Sequence, residues 1–284
     1  MATFNRQLRQ NLRSAPVTSV ERDEFVTRVI SEGWSGVVWS DLADADVDEV
    51  IAREVTRFTG MSWEWKHYSG DRPADLSERL LSAGFIADPP ESVMVAEIGG
   101  LNLGAAPPHG VELVTVTTDE DVEALVRLHD AVFGGDHTAL GQEMAASLGA
   151  AEPAVVGMIA RVGETTVSAG RVEFHDGTAF ASIWGGGTLP EWCRRGIFRA
   201  LVARRAALAS DRGFRYLQVD AMPTSRPILA RLGFVELAIT TPYRRRATNF
   251  AVFDEVHLNR AAVGLPALPG SRSVYGHRSN SRVS

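Results

Sequence analysis

Trp184-Gly185-Gly186-Gly187-Thr188-Leu189-Pro190-Glu191-Trp192-Cys193-Arg194-Arg195-Gly196-Ile197-Phe198-Arg199-Ala200-Leu201 runs from a strand, through a loop, into a helix. Pro190 cannot donate to a strand ladder, so the chain leaves the strand at a defined point. The helix start offers free backbone N–H groups and the positive end of the helix dipole. Arg194 and Arg195 add charge, and Gly196 lets the backbone approach a bound group closely. Together these features suit a diphosphate.

The pattern around this stretch is regular from Val111 onward. Val111–Val116 alternates as a strand, and Thr117-Thr118-Asp119-Glu120 opens a helix striped by Val122, Leu125, Val126, Leu128 and Val132. A second helix is expected over Leu140–Leu148, then strands over Ala154–Ala160, Thr166–Phe174 and Ala179–Gly187. Asp176-Gly177 is a hairpin signal between the last two. An amphipathic helix over Arg194–Arg212, a strand over Arg215–Ala221, a short helix over Ser225–Leu232 and a strand over Phe234–Thr240 complete the order β-α-α-β-β-β-α-β-α-β.

Upstream, the spacing predicts a helix over Val20–Ser31, a strand over Ser35–Ser40, a helix over Val47–Phe58, a strand over Met61–Tyr68, a helix over Ala74–Ala83 and a strand over Ser92–Glu97. Asp75–Phe85 resembles Ser225–Phe234, each ending in Gly-Phe before a strand, which hints at a duplicated fold. The Gly-, Ala- and Pro-rich stretch Ile98–Gly110 is the linker candidate. The expected divisions are therefore 1–105, 106–262, and a Ser- and Arg-rich tail over 263–284 that stays mobile unless docked.

Of 284 residues, 45% are hydrophobic and 23% charged, ordinary for a globular chain, and no apolar run approaches a membrane span. The N-terminus lacks the apolar core of a secretory signal, so a cytoplasmic location is expected. Cys193 is the only cysteine, which excludes an internal disulfide and argues against a thiolate metal site. A net charge of −6 argues against nucleic acid as a partner. Lys66 is the only lysine, which points to the codon usage of a GC-rich genome.

The turn and its surroundings resemble the GCN5-related N-acetyltransferase (GNAT) superfamily over roughly residues 111–242. The family pattern is a strand, a Pro-containing loop, and Arg/Gln-x-x-Gly-x-Gly/Ala at a helix head. Arg195-Gly196-Ile197 stands in register; Cys193 stands where Arg or Gln is usual, and Phe198 where a second small residue is usual. The resemblance implies an α/β GNAT fold: a mixed, mostly antiparallel central sheet flanked by helices, preceded here by a GNAT-like unit. It also implies acetyl-CoA held between splayed strands and direct transfer to an amine of a small molecule, by a monomer or homodimer with no metal. Backbone groups of Gly187, Thr188 and Leu189 would meet the pantetheine arm, and Arg194, Arg195, Gly196, Ile197 and Phe198 the diphosphate. Two alternatives stand beside this: a non-catalytic acyl-CoA-binding or scaffold protein, and a tandem acetyltransferase resembling mycothiol synthase.

Acetyl transfer needs a neutral amine and a proton for the leaving thiolate. Family members often use a Tyr on the last short helix, but Leu229 falls at that place, and Met222 falls where an Asn often contacts pantetheine. Ser225, at the head of that helix, could face the sulfur or simply cap the helix. Tyr243 could reach the cleft or be a half-buried aromatic. Glu173 and His175 share one strand face and are the leading base candidates, ahead of Asp220; a solvated strand face is the plainer reading. In the first unit, Asp41, Asp44, Asp46, Asp48 and Glu49 would repel diphosphate and suit a helix N-terminus. Met61–Tyr68 reads as a buried strand. The expectation is that residues 1–105 form a degenerate GNAT-like half that shapes the acceptor pocket.

Overall fold

A computed structural model describes residues 1–12, 19–31 and 34–247; the tail expected at 263–284 lies outside these. The elements are α1 (Ala2–Phe4), continued by a π-helical turn Asn5–Gln10, then β1 (Ser19–Arg22), β2 (Val26–Ile30), β3 (Ser35–Ser40), α2 (Val47–Arg57), β4 (Trp63–Tyr68), α3 (Leu76–Ser82), β5 (Ile86–Ala87) and β6 (Glu91–Glu97). After the linker come β7 (Glu112–Thr115), α4 (Asp119–Phe133), α5 (Thr138–Ser147), β8 (Val155–Val162), β9 (Thr165–Phe174), β10 (Phe180–Thr188), α6 (Ile197–Asp211), β11 (Tyr216–Ala221), α7 (Arg226–Leu232) and β12 (Val235–Arg245).

The helix expected at Val20–Ser31 is instead the β1–β2 hairpin. Val20, Phe25, Val26, Val29 and Ile30 fit a helical stripe, but the run is rich in β-branched residues, which prefer a pleated surface. Asp23 Oδ1 accepts from the Phe25 and Val26 amides at 2.8 and 3.0 Å and closes the turn. Local capping also sets the helices that were foreseen. Thr118 accepts from the Asp121 amide at the head of α4, and Asp46 from the Glu49 amide at the head of α2.

The twelve strands of the described residues form one sheet in the order β1-β2-β3-β4-β12-β6-β11-β10-β9-β8-β7, with β5 also on β12. Among the described strands only β3–β4 and β10–β11 pair in parallel. β1–β2–β3–α2–β4–α3–β6 and β8–β9–β10–α6–β11–α7–β12 thus repeat one pattern, apart from the short β5, with a parallel pair at the same step in each. The two copies exchange their last strands. β6 pairs with β11 (Tyr216↔Glu97 through Ala221↔Ser92), while β12 pairs with β4 (Thr240↔Tyr68 through Arg245↔Trp63). β6 and β12 also pair with each other.

Packing follows the exchange. Met94 and Ala96 of β6 sit in the second copy's core with Val172, Ile183, Val202 and Leu217, whereas Tyr243 of β12 sits in the first copy's core with Trp63, Trp65 and Leu80. Alternation sends Ala181, Ile183, Leu217 and Met94 to the face covered by α6. Ser182, Trp184, Gln218, Asp220 and Glu91 therefore turn to the opposite face. At one end of that face α4 and α5 pack on Val116, Ile159 and Ala169. At the other, Phe4 packs on Tyr68 and Phe180, and Arg9 lies over the Tyr68 ring and binds Asp71 at 2.7 Å.

The exchange predicts a specific cross-link. In a Cys193→Ser background, Glu97→Cys with Tyr216→Cys, which face each other across β6 and β11, should oxidise to a disulfide, detectable as one linked peptide by mass spectrometry. Absence of that link under mild oxidation would contradict the pairing.

Candidate active site

β10 ends at Thr188, where Leu189 N–H donates to Val167 O at 2.9 Å and the chain turns through a single 3₁₀ turn, Pro190–Trp192. Two left-handed residues follow with one between them, Arg194 at φ 61° and Gly196 at φ 89°. Such alternation turns successive N–H groups toward one concavity, an anion nest. Gly196 is the N-cap of α6 and brings no side chain, so no side chain caps the first turn's amides. A non-glycine residue at positive φ is strained by ~1 kcal/mol or more, and here Arg194 carries that strain.

Arg194 and Arg195 are exposed at the turn, and the Arg195 guanidinium lies 4.5 Å from the centre of the Trp192 ring. Ile197 is buried and roots the helix. Phe198 turns inward, so that a Cβ added at Gly186 would lie 2.8 Å from its ring. The turn therefore fits a diphosphate through backbone and charge, while Phe198 narrows the space behind it. Cys193 is exposed beside the nest, its Sγ 3.6 Å from Thr188 O.

β10 and β11 pair only over Phe180–Ser182 and Tyr216–Gln218, then part. Just past the parting, β10 bulges between Trp184 and Gly187. By ladder alternation the Thr188 amide faces the gap, since Leu189 is committed to β9. The Thr188 hydroxyl is 2.7 Å from that of Ser168. Gly187 has no room for a side chain, because a Cβ there would meet Phe133 at 2.9 Å.

On the face opposite α6, a polar row crosses the sheet. His175 Nε2 lies 2.7 Å from Ser182 Oγ, the Ser182 hydroxyl donates to Gln218 Oε1 at 2.7 Å, and Gln218 Nε2 donates to Asp220 Oδ1 at 2.7 Å. Asp220 Oδ2 then pairs with Lys66 Nζ from β4. Lys66 lies 5.7 Å from the centre of the half-buried Trp184 ring. Burial alone would lower the Lys66 ammonium, but Asp220, with Tyr68, Glu91 and Glu64, raises it well above its ordinary value. Glu91 begins β6 beside the end of β11 and makes no side-chain hydrogen bond or ion pair among the described residues. Burial, then Asp220, Glu64 and Asp88, push its carboxyl up to about 7 against the pull of Lys66.

The sequence-derived candidates divide. Glu173 is bound to Arg171 at 2.8 Å, and His175 is held at the far end of the polar row with its pKa lowered by burial. The Ser225 hydroxyl donates to Met222 O at 3.2 Å and makes no cap bond. Tyr243 does not reach the cleft. It is buried in the first copy's core, edge-on to His67, because β12 crosses to β4. Leu229 is fully buried, as a core residue would be. Lys66, Glu64 and Glu91 were not foreseen. One signal was present: in a chain with 29 basic residues, the single lysine is the one in the cleft. No cluster able to hold a metal occurs among the described residues.

No family model and no curated protein matches this chain. Solved structures do. A GCN5-related N-acetyltransferase from Kribbella flavida aligns with TM-score 0.59 and 16% identity over 86% of this chain and 93% of its own. A functionally unknown conserved protein from Staphylococcus epidermidis aligns with TM-score 0.60 and 14% identity over 81% and 94%. A tandem GNAT protein from the clavulanic acid biosynthesis pathway aligns with TM-score 0.54 and 12% identity over 84% and 86%. Over most of its length, this chain has the fold of the GCN5-related N-acetyltransferases.

Proposed function

We propose that the protein is an acyl-CoA-dependent N-acyltransferase, moving an acetyl group to an amine of a small molecule. The observation that carries this is the nest at Arg194–Gly196 placed at the mouth of the gap between β10 and β11. A diphosphate on the nest directs a pantetheine arm along Thr188 toward the bulge. The second copy (residues 106–262) holds the acyl donor. The first (1–105) is a GNAT-like half in which the acidic run Asp41–Glu49 replaces a basic nest, and it lends the acceptor side Lys66, Glu64 and Glu91.

Glu91 is the proton acceptor in this reading, in preference to Glu173, which is already paired. Its carboxylate takes one proton from the acceptor's ammonium. The freed nitrogen lone pair forms the C–N bond, the C–S bond breaks, and the departing thiolate takes the second nitrogen proton. Trp184 and the carboxylates around Lys66 favour a cationic acceptor. One observation favours a second reading, a GNAT-fold protein that transfers nothing: Phe198 presses on Gly186 where a small residue would leave the gap open.

Two measurements test this. Acetyl-CoA, which has no free thiol, should raise the thermal midpoint and protect Cys193 from a thiol reagent; Gly196→Glu should abolish both effects. Wild-type protein showing neither would sink the acyl-CoA reading, and protection without turnover across amines would favour the second.

The pH dependence is also specific. Turnover should rise as pH increases through about 7, where Glu91 ionises, and Glu91→Gln should lose that limb and roughly 10²-fold or more in kcat. Because the folded pKa is raised, the native state holds an extra proton between the unfolded value and about 7, so stability falls as pH rises through that window. Glu91→Gln should therefore flatten this slope in denaturant titrations. A variant that kept both the slope and the rate limb would rule Glu91 out.

A further inference from the structure

The β10 bulge is gripped from both faces of the sheet. Gly185 and Gly186 together oppose a single residue, Gly170, because the ladder jumps from Trp184↔Arg171 to Gly187↔Ala169. A bulge turns backbone groups out of the ladder, and buried backbone groups need partners. Two helices supply them. His129 of α4, 1% exposed, places Nε2 2.9 Å from Gly185 O. Arg205 of α6, also 1% exposed, donates Nη1 to Arg171 O at 3.2 Å and reaches Trp184 O at 3.4 Å.

The charge states fit these roles. Burial, then the nearby Arg171 and His137, lowers the His129 pKa to about 3, so the ring is neutral and its one proton is on the nitrogen facing Gly185 O. Arg205 is lowered to about 9 by burial and Arg171, so it remains charged near neutrality. Among the described residues no carboxylate pairs with it, and its Nη2 is buried without a partner. A buried cation with an idle donor is costly, which is unexplained if the residue only fills space. That Nη2 lies 3.7 Å from where a Gly186 Cβ would stand, and His129 Cε1 lies 2.7 Å from the Gly185 Cβ position. His129 thus leaves no room for a side chain at Gly185, which sits at φ 59°, while the side chain that fills the space over Gly186 is Phe198, at 2.8 Å.

Trans peptides point N–H opposite to C=O. Trp184 is still paired with Arg171, and alternation from the His175 N–H to Phe180 O bond places Trp184 O on the β9 side, where Arg205 also reaches it; the Gly185 N–H therefore faces away from β9, toward the gap just beyond the last β10–β11 pair. We propose that His129 and Arg205 are positioning residues. They hold the bulge so that it presents backbone donors, backed by the Arg205 charge, to the acyl carbonyl of a thioester at the parting of β10 and β11. This rests on the acyl-CoA reading and adds to it: the site discriminates the acylated from the free thiol by this clamp.

Isothermal titration of full-length protein with acetyl-CoA and, separately, with CoA tests it, alongside hydrogen exchange of the peptide spanning 184–188. Wild type should bind acetyl-CoA at least threefold more tightly than CoA. His129→Leu and Arg205→Met should bind CoA within about twofold of wild type, lose the acetyl-CoA preference, and exchange faster at the bulge only. Arg205→Lys, which keeps charge and a donor, should retain part of the preference and guards against loss of folding. Equal loss of both ligands, an unchanged preference, or an unaltered bulge would overturn the clamp. Failure of wild type to bind either ligand would instead overturn the acyl-CoA reading beneath it.

Discussion

The structure depends on how the chain satisfies the backbone of β11 after β10 leaves it. A strand that parts from one neighbour keeps an unpaired row of N–H and C=O groups unless the other edge is secured. Here that edge is secured by β6, from the other copy of the repeat. β6 pairs with β11 along its whole length, from Tyr216 to Ala221. The reciprocal strand, β12, covers β4 in the same way. Each copy therefore depends on the other for its core as well as for its sheet: Met94 is 2% exposed in one and Tyr243 7% in the other.

The cleft's chemistry follows from this topology. β4 and β6 carry Lys66, Glu64 and Glu91 to the face where Trp184 and Asp220 emerge beside the gap. A lysine this enclosed must be paired, and Asp220, itself fixed by Gln218, does so. The Ser182 hydroxyl donates to Gln218 and so receives from His175, which gives the row a single sense from β9 to β11. Asp220 is thereby occupied on both oxygens, and Glu91 is left as the carboxylate of the cleft without a fixed partner.

Legibility in the sequence tracks locality. The loop and basic helix head at Pro190–Gly196 could be read directly, because Pro190, the arginines and Gly196 act within a few residues of one another. So could the element order after Val111 and the similarity of Asp75–Phe85 to Ser225–Phe234. The β1–β2 hairpin could not: the spacing of Val20, Phe25, Val26 and Val29 serves a helix equally well, and Asp23 decides by bonding forward. Lys66 and Glu91 were hidden for a different reason. Their roles arise from strands that pair across the repeat, more than a hundred residues away, and the alternation in Met61–Tyr68 is the same whether Lys66 faces water or a cleft. Tyr243 was misplaced by the same exchange.

The bulge and its clamp depend on each other. At the edge of the bulge the buried Arg205 guanidinium finds Trp184 O beside Arg171 O and its own helix's Leu201 O. Without His129, the Gly185 carbonyl in the bulge would lose its side-chain partner, and an acceptor buried unpaired costs ~1–3 kcal/mol. Burial first, and the charge of Arg171 second, lower the pKa of both His129 and Arg205, and Arg171 is in turn paired with Glu173. Glu173 thus acts at one remove. It fixes, at 2.8 Å, the guanidinium whose charge adds to what burial has already done to both clamp residues.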